Sequence, residues 1–364
     1  MRPVLLLAAL ALAAPARAQT DQEVSFTSAP GVTLAGTVSV PAGEGPFPAV
    51  VLVSGSGVQD RDGGPDSPVF PAGFRIYRDL AEALRQRGVL VLRYDERGAG
   101  ASTAGPDPQS VTTRDYAVDA GAAVRLLAER PDVRWVGVVG HSEGGTVAPL
   151  VAGAEPAVDG VVMVAGPGVP GLATALEQNR MLLTGAGVRP SAVDSFVVAA
   201  DSAFAPLAAS AGGELDDATR DLVRDRLTAA FNGLPADQAA KIGLTPAVVP
   251  MAVAQQMQAV SSPWFRTYLA LDPTDLIAAL RVPALALFFE LDSQVPPALN
   301  AEPVRQALSA SASPDWEVTT LNGVNHPMQA AETGAPAEYR TLAPAVDPSV
   351  PATIADWVLK TADD

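Results

Sequence analysis

Short apolar runs that alternate with helical patterns constrain the fold of this chain more than any other feature. The runs lie at 49–53, 89–92, 135–139, 161–164 and 284–289. Their residues are apolar without a break, as is typical of strands that are buried on both faces of a parallel sheet. Helical patterns separate the early runs, at 77–86 and 116–129. This alternation predicts a doubly wound α/β sheet with helices on both faces.

The segments outside these runs complete the predicted organisation. Two segments with strand patterns flank Pro30-Gly31 and predict a hairpin. After residue 289 the pattern predicts a helix at 301–308, a strand at 316–321 and a last helix at 354–360. From 167 to 281 no strand run occurs. This stretch is helical in pattern, most clearly at 216–231, where an apolar face is formed by Leu222, Val223, Leu227 and Phe231.

A structureless connection of this length would be unusual in a compact domain. We therefore expect residues 167–281 to form a helical cap inserted into a core made of 19–166 and 282–364.

The first 18 residues have the pattern of a secretory signal peptide. Arg2 precedes an apolar run at 4–14, and Ala16-Arg17-Ala18 follows as a cleavage signal. The run is too short to span a bilayer, which takes about 20 residues. The chain has no cysteine for a lipid anchor. We expect cleavage after Ala18 and a secreted or periplasmic protein without a membrane anchor.

Composition excludes several classes of function. The 364 residues include 24 Lys plus Arg and 40 Asp plus Glu, for a formal charge of −16. An acidic chain without a basic cluster is a poor nucleic-acid binder. The absence of cysteine excludes thiol nucleophiles and thiolate metal sites, and two histidines cannot form an imidazole cluster. We expect no metal and no organic cofactor, and the sequence does not indicate an oligomeric state.

The segment Gly140-His141-Ser142-Glu143-Gly144-Gly145 follows one strand run and begins a helical pattern. In this context G-x-S-x-G indicates a nucleophile elbow, a sharp turn that exposes the serine hydroxyl at the edge of the sheet. The start of the helix also offers unpaired N–H groups to developing negative charge. Ser142 is therefore the predicted nucleophile.

A serine nucleophile needs a base, and the base needs an acid that orients it. His141 adjoins Ser142, so its side chain should point elsewhere, and we expect a packing or hydrogen-bonding role. His326 follows the last predicted strand and is the predicted base. The loop after the strand at 284–289 offers Glu290 and Asp292. We favour Asp292, which lies further beyond the strand, with Glu290 as a structural neighbour that could substitute.

The site also needs donors for an oxyanion. The N–H of Glu143 is one candidate, and the N–H of Ser56 in the glycine-rich loop at 54–57 is the other. A dinucleotide-binding motif is excluded in this loop because Asp60 stands where G-x-G-x-x-G requires glycine. Asp60 and Asp62 are interpreted as acids that order the loop, with a role at the rim of the pocket left open.

With these motifs, the chain resembles the α/β-hydrolase superfamily, and within it the bacterial exported carboxylesterase-like hydrolases near the serine aminopeptidase and dienelactone-hydrolase groups. The matching segments are 54–62, 93–98, 140–145, 262–265, 291–297 and 325–326. The resemblance implies an eight-stranded sheet with a helical cap between strands six and seven. It also implies a triad of Ser142, Asp292 and His326, with the Ser56 and Glu143 amides as the oxyanion hole. Many relatives have histidine in place of Ser54.

These observations predict an exported serine hydrolase that cleaves small-molecule carboxylic esters through an acyl-enzyme. Met181, Met257, Trp264 and Phe265 are candidates for the lining of the substrate pocket, although most such residues serve core packing. An aminopeptidase or thioesterase with the same triad is the first alternative. A peptidase would need acidic cap residues, for which Glu177 and Glu214 are available. A catalytically silent binding protein on the same fold is the second alternative.

Overall fold

The computed structural model describes residues 18–63 and 69–363, so residues 1–17 of the predicted signal peptide lie outside it. The described chain forms one sheet in the order β1-β2-β4-β3-β5-β6-β7-β8. Its strands are β1 (Thr20–Ala29), β2 (Val32–Val40), β3 (Phe47–Val53), β4 (Leu90–Tyr94), β5 (Val133–His141), β6 (Gly160–Val164), β7 (Ala284–Phe289) and β8 (Trp316–Leu321). The first two form the predicted hairpin, and β3 to β8 pair in parallel. The fold is the predicted mostly parallel, eight-stranded sheet.

Helices cover both faces of this sheet. Those of the core are α1 (Ile76–Gln86), α2 (Thr113–Ala128), α3 (Gly144–Ala154), α11 (Pro297–Ala310) and α12 (Ser349–Asp363). One apolar cluster, to which α1 and α12 contribute Leu84 and Ile354, covers one face. A second cluster, with Val124 of α2, Val151 of α3 and Leu308 of α11, covers the other. Burial of both faces explains why the strands are continuous apolar runs rather than alternating ones.

The predicted cap region is helical throughout, and no strand occurs in it. Between β6 and β7 lie α4 (Gly171–Gly185), α5 (Pro190–Ala209), α6 (Asp217–Asn232), α7 (Ala236–Ala239), α8 (Val249–Val260), α9 (Pro263–Ala270) and α10 (Pro273–Ala278). Most of these helices share a separate apolar cluster that includes Phe204, Leu227 and Val253. These helices therefore share an apolar core that is separate from the two clusters on the sheet.

One cap helix, α5, is long and apolar enough to cross a membrane when only the length and composition of the described helices are considered. It packs against α4, α6 and α9, as a core helix of the cap would.

Several predictions about the helices need correction, and α11 and α12, for example, begin at Pro297 and Ser349 rather than at 301 and 354. Leu222 does not belong to the apolar face of α6, because it is 41% exposed while Val223 and Leu227 are buried. The helix predicted at 116–129 begins earlier, at Thr113, because Thr112 and Asp115 form a capping box that satisfies its first N–H groups. Side-chain caps of this kind set a helix start that apolar periodicity does not show.

Candidate active site

The turn from β5 into α3 places the Ser142 side chain at the carboxyl edge of the sheet. Ser142 adopts a left-handed conformation with φ of 56°, which non-glycine residues seldom adopt. The neighbouring glycines leave no room for side chains. A Cβ at Gly140 would lie 1.9 Å from the Gly144 carbonyl oxygen, and one at Gly144 would lie 2.5 Å from that of Val53. The G-x-S-x-G spacing is therefore required by close packing of backbone on backbone.

Three side chains from three loops meet at this edge. The Nε2 of His326 lies 3.1 Å from the Ser142 Oγ, and its Nδ1 lies 2.7 Å from the Asp292 Oδ2. The other oxygen of Asp292 accepts hydrogen bonds from the N–H groups of Gln294 and Val295. Because a carboxylate only accepts, the neutral imidazole carries its proton on Nδ1 and leaves Nε2 free to accept from the serine hydroxyl. Asp292 and His326 are both buried.

The alternative acid, Glu290, does not reach this chain of hydrogen bonds in the structure. Its Oε2 accepts a hydrogen bond of 2.9 Å from the N–H of Gly323, in the loop that leads to His326. Glu290 therefore stabilises the loop that carries His326 without contacting the imidazole, which is the role of a structural neighbour.

The candidate oxyanion donors lie beside the serine. Within the described residues, neither the Ser56 N–H nor the Glu143 N–H donates a hydrogen bond to the protein. The loop that carries Ser56 packs closely on the nucleophile, since a Cβ at Gly55 would lie 3.1 Å from that of Ser142. Two unpaired amides at this position can stabilise a developing oxyanion.

A buried carboxyl group is hydrogen-bonded to the glycine-rich loop at 54–57, which carries Ser56 and is called the oxyanion loop. Glu96 follows β4 and accepts hydrogen bonds from the Ser54 hydroxyl and from the Gln59 N–H, the latter at 3.0 Å. Gln59 in turn donates from its amide to the carbonyl oxygens of Gly55 and Ser56. Burial raises the pKa of Glu96 to about 8. Ser54 is thus a hydrogen-bond donor that helps to order this loop.

Ion pairs connect the segment after the oxyanion loop to the hairpin formed by β1 and β2. Arg61 binds Asp95 through two nitrogens and reaches Glu23 of β1. Asp62 accepts a hydrogen bond of 3.0 Å from the guanidinium of Arg93. These contacts agree with the interpretation that Asp62 orders the loop.

Glu143 connects the nucleophile elbow to the cap. It is 3% exposed, and its Oε1 accepts hydrogen bonds from the Thr113 hydroxyl at 2.7 Å and from the Trp264 Nε1–H at 2.9 Å. Burial raises the pKa of Glu143 above its ordinary value, against the opposing effect of these hydrogen bonds. Because Trp264 belongs to α9, its hydrogen bond attaches this helix directly to the residue after the nucleophile. Within the same helix, the Trp264 ring stacks on Tyr268, with ring centroids 5.8 Å apart.

An apolar cavity of about 430 Å³ lies where helix α4 faces the loops of the core. Its walls include Met181 and Leu182 of α4, and Ser293 and Gln294, which directly follow Asp292. Phe70 and Tyr339 form a stacked pair on its core side, with ring centroids 5.9 Å apart. No charged side chain is among its described lining residues, so the cavity favours neutral apolar groups.

The predicted pocket residues separate into different roles. Met181 lines the cavity, and Trp264 bonds Glu143. Met257 needs correction, because it is 9% exposed and belongs to the apolar core of the cap rather than to the cavity lining. Phe265 packs on that core and meets Phe204 edge to face, at 5.6 Å. Methionine and aromatic residues in an amphipathic helix are ambiguous between these roles until the packing is known.

Comparisons with known proteins agree with this architecture. A family model described as serine aminopeptidase, S33, matches residues 73–205. Esterase EstD from Thermotoga maritima is 42% identical over 140 residues, which are 38% of this chain and 31% of that protein. The match thus spans less than a third of that relative's length.

Solved structures share the fold at low sequence identity. A Pyrococcus furiosus esterase, Pf2001, aligns with a TM-score of 0.53 and 14% identity over 95% of this chain and 91% of its own. The structure of DcsB in complex with its substrate analogue aligns with a TM-score of 0.51 and 16% identity over 94% of this chain and 100% of its own. The chain therefore has the α/β-hydrolase fold, and parts of it resemble the S33 serine aminopeptidase family model and an esterase.

Proposed function

We propose that this protein hydrolyses carboxylic esters through an acyl-enzyme formed on Ser142. The observation that carries the proposal is the continuous chain of hydrogen bonds from the Ser142 hydroxyl through His326 to Asp292. The esterase relatives support ester hydrolysis as the general class of reaction.

The reaction follows from the position of each group. His326 Nε2 accepts the hydroxyl proton as Ser142 Oγ attacks the ester carbonyl. The carbonyl oxygen becomes an anion that the Ser56 and Glu143 N–H groups bind. As the carbon–oxygen bond to the alcohol breaks, the imidazolium gives its proton to the leaving oxygen, and Ser142 is left acylated. Water then attacks the acyl carbon and gives a proton to His326; as the bond between that carbon and Ser142 Oγ breaks, the imidazolium returns the proton to Oγ and the acid is released. Asp292 stabilises the imidazolium in both halves.

The cavity between α4 and the core supports a proposal about the class of ester. Its lining is mainly apolar and includes an aromatic pair, so it suits an uncharged alkyl or aryl group. We propose that this cavity receives the larger apolar part of the substrate. Small neutral esters and those with longer apolar chains are then substrates, and esters with a charge on that part are poor ones.

An aminopeptidase remains the alternative, since the matching family model carries that description. Such an enzyme needs an acidic group free to hold a substrate amine. Of the two candidates in the cap, Glu177 is paired with Arg180 at 3.5 Å. This pairing argues against Glu177 as the amine-binding group, because a carboxylate already neutralised by a guanidinium binds an ammonium less well.

We further propose that the protein is exported and processed after Ala18. The support is the pattern of the first 18 residues. Expression of the full chain in a bacterial host, followed by mass determination of the periplasmic fraction, tests this. A mass that begins at Gln19 supports export, and a full-length protein confined to the cytoplasm contradicts it.

The activity is tested with p-nitrophenyl esters of increasing chain length beside aminoacyl p-nitroanilides and acyl thioesters. We expect turnover of the oxygen esters that disappears in Ser142→Ala. A Ser28→Ala variant, which alters a serine of β1 far along the chain from the triad, is the control and should keep activity. Turnover confined to the anilides or thioesters would contradict the ester proposal and favour the corresponding alternative.

A further inference from the structure

A buried chain of hydrogen bonds behind the triad joins the oxyanion loop to the candidate base. The Gly55 N–H donates to the Tyr77 hydroxyl at 2.7 Å. That hydroxyl lies 3.1 Å from the His141 Nδ1, and the His141 Nε2 lies 2.9 Å from the backbone carbonyl oxygen of His326. Tyr77 and His141 are 4% and 7% exposed, so this chain is shielded from water.

The direction of every hydrogen bond in the chain is fixed. A carbonyl oxygen only accepts, so His141 carries its proton on Nε2 and donates it to His326. Its Nδ1 is then an acceptor and takes the proton of the Tyr77 hydroxyl. The phenol oxygen still has a lone pair, which accepts the Gly55 N–H. No member can reverse its role without leaving a buried donor or acceptor unpaired, which is costly.

The imidazole of His141 and the phenol of Tyr77 both stay neutral, as the directions of these hydrogen bonds require. Burial lowers the pKa of His141 to about 3, and the charge of the neighbouring His326 side chain lowers it further, against the opposing effect of the hydrogen bond to the His326 backbone. Burial also raises the pKa of the Tyr77 hydroxyl above its ordinary value. The rings of His141 and His326 lie 4.9 Å apart, so a neutral His141 leaves His326 free to take up a proton during the reaction.

The two ends of this hydrogen-bond chain are the oxyanion loop and the loop of the base, which must stay at a fixed distance from each other. Gly55 precedes Ser56, whose N–H is a candidate oxyanion donor, and packs on Ser142. At the other end, the His326 backbone carries the imidazole that must stay within reach of the same serine. A misplacement of reacting groups by about 1 Å can lower a rate by about 100-fold.

We propose that Tyr77 and His141 are positioning residues, which set the distance between the oxyanion donors and the base through the chain Gly55–Tyr77–His141–His326. This inference rests on the proposed function for the identity of the reacting groups, but it concerns residues that touch no substrate.

The test uses Tyr77→Phe, His141→Phe, the double variant and the conservative His141→Gln. An amide keeps one donor and one acceptor side by side, as a neutral imidazole does. The readouts are kcat and KM for a short ester, the rate of Ser142 labelling by a fluorophosphonate, and the thermal unfolding midpoint. Tyr94→Phe is the matched control, because Tyr94 is also buried and packs on Phe26, and its hydroxyl makes no hydrogen bond among those described.

We expect kcat and the labelling rate to fall by about tenfold or more in each Phe variant, with KM nearly unchanged. The double variant should be no slower than the slower single variant, since either change breaks the same chain. His141→Gln should recover part of the loss, and Tyr94→Phe should behave as wild type.

The proposal is overturned if both Phe variants label within about threefold of wild type, or if their losses multiply in the double variant. A lower unfolding midpoint with unchanged kcat would show a structural role only and also overturns it. Failure of the ester proposal has a different signature, namely a wild-type protein that labels at Ser142 but hydrolyses no ester. The labelling rates still test the positioning chain in that case. Absence of labelling in the wild-type protein would contradict both the triad and the positioning role of Tyr77 and His141.

Discussion

The Nε1–H of Trp264 donates a hydrogen bond of 2.9 Å to Glu143, and the N–H of Glu143 is one of the two candidate oxyanion donors. A residue of the cap therefore contacts a residue of the candidate oxyanion site. The two residues are 121 positions apart in the chain, and only the seating of helix α9 on the core brings them together. This contact makes the position of the cap a determinant of the oxyanion site.

Removing this contact should impair both the stability and the catalysis of the protein. Trp264→Phe keeps an aromatic ring but leaves the buried Glu143 without one donor, which should lower the free energy of unfolding by about 1–3 kcal/mol. We expect kcat/KM for a short ester to fall by about tenfold. Trp316→Phe, at the half-buried edge strand β8, is the matched control and should retain activity. Equal activity of the two variants would contradict a role for the contact.

The assignment of the acid can be tested by a pair of isosteric variants. Asp292→Asn should lower kcat by about 10³- to 10⁴-fold, because the amide no longer holds His326 in the tautomer that accepts from Ser142. Glu290→Gln should change kcat by less than about threefold, since an amide oxygen still accepts from Gly323. The reverse order of effects would assign the acid role to Glu290.

Glu96 predicts a specific pH dependence of stability. Its pKa is raised from 4.5 to about 8 by burial, so between these values the folded protein holds a proton that the unfolded chain has lost. Unfolding then releases a proton, and stability falls as pH rises through this window. The slope has a limit of about 1.4 kcal/mol per pH unit for one group.

Glu96→Gln removes this contribution while keeping a neutral side chain beside Ser54 and Gln59. We expect the variant to lose less stability than wild type between pH 5 and pH 8 in urea unfolding. The exposed Glu302→Gln on α11 should keep the wild-type slope. Parallel curves for Glu96→Gln and wild type would contradict a proton held by Glu96.

The cavity beside α4 predicts a change in chain-length preference. Met181→Trp adds volume to the cavity lining and should lower kcat/KM for long-chain esters by about tenfold, while short esters that do not fill the cavity are spared. Met251→Trp is the control, because Met251 is 65% exposed on α8. A uniform loss on all chain lengths, or no loss, would contradict the use of this cavity for the apolar part of the substrate.

Sequence predicts best those features of this protein that are determined by residues close together in the chain. Unbroken apolar runs indicate the parallel strands, because both faces of the sheet are covered. The glycines around Ser142 indicate the elbow, because only glycine fits beside the Val53 and Gly144 carbonyl groups. His326 and Asp292 follow from the elbow, since the loops after parallel strands meet at one edge of the sheet.

What sequence does not predict depends on contacts between distant segments. Nothing around Tyr77 distinguishes it from another apolar position of α1, and its hydroxyl acquires a role only when His141 and Gly55 pack against it. Trp264 and Met257 both sit in amphipathic cap helices, yet one reaches the elbow and the other fills the core of the cap. Their difference arises from the orientation of each helix, which apolar periodicity does not encode.

Active-site labelling is the most direct test of whether Ser142 is a nucleophile activated by His326. The protein is treated with a fluorophosphonate, digested, and the modified peptide is identified by mass spectrometry. We predict one adduct on Ser142, formed in wild type, absent in Ser142→Ala and at least about 10³-fold slower in His326→Ala. Labelling at another serine, or a rate in His326→Ala equal to that of wild type, would contradict the account.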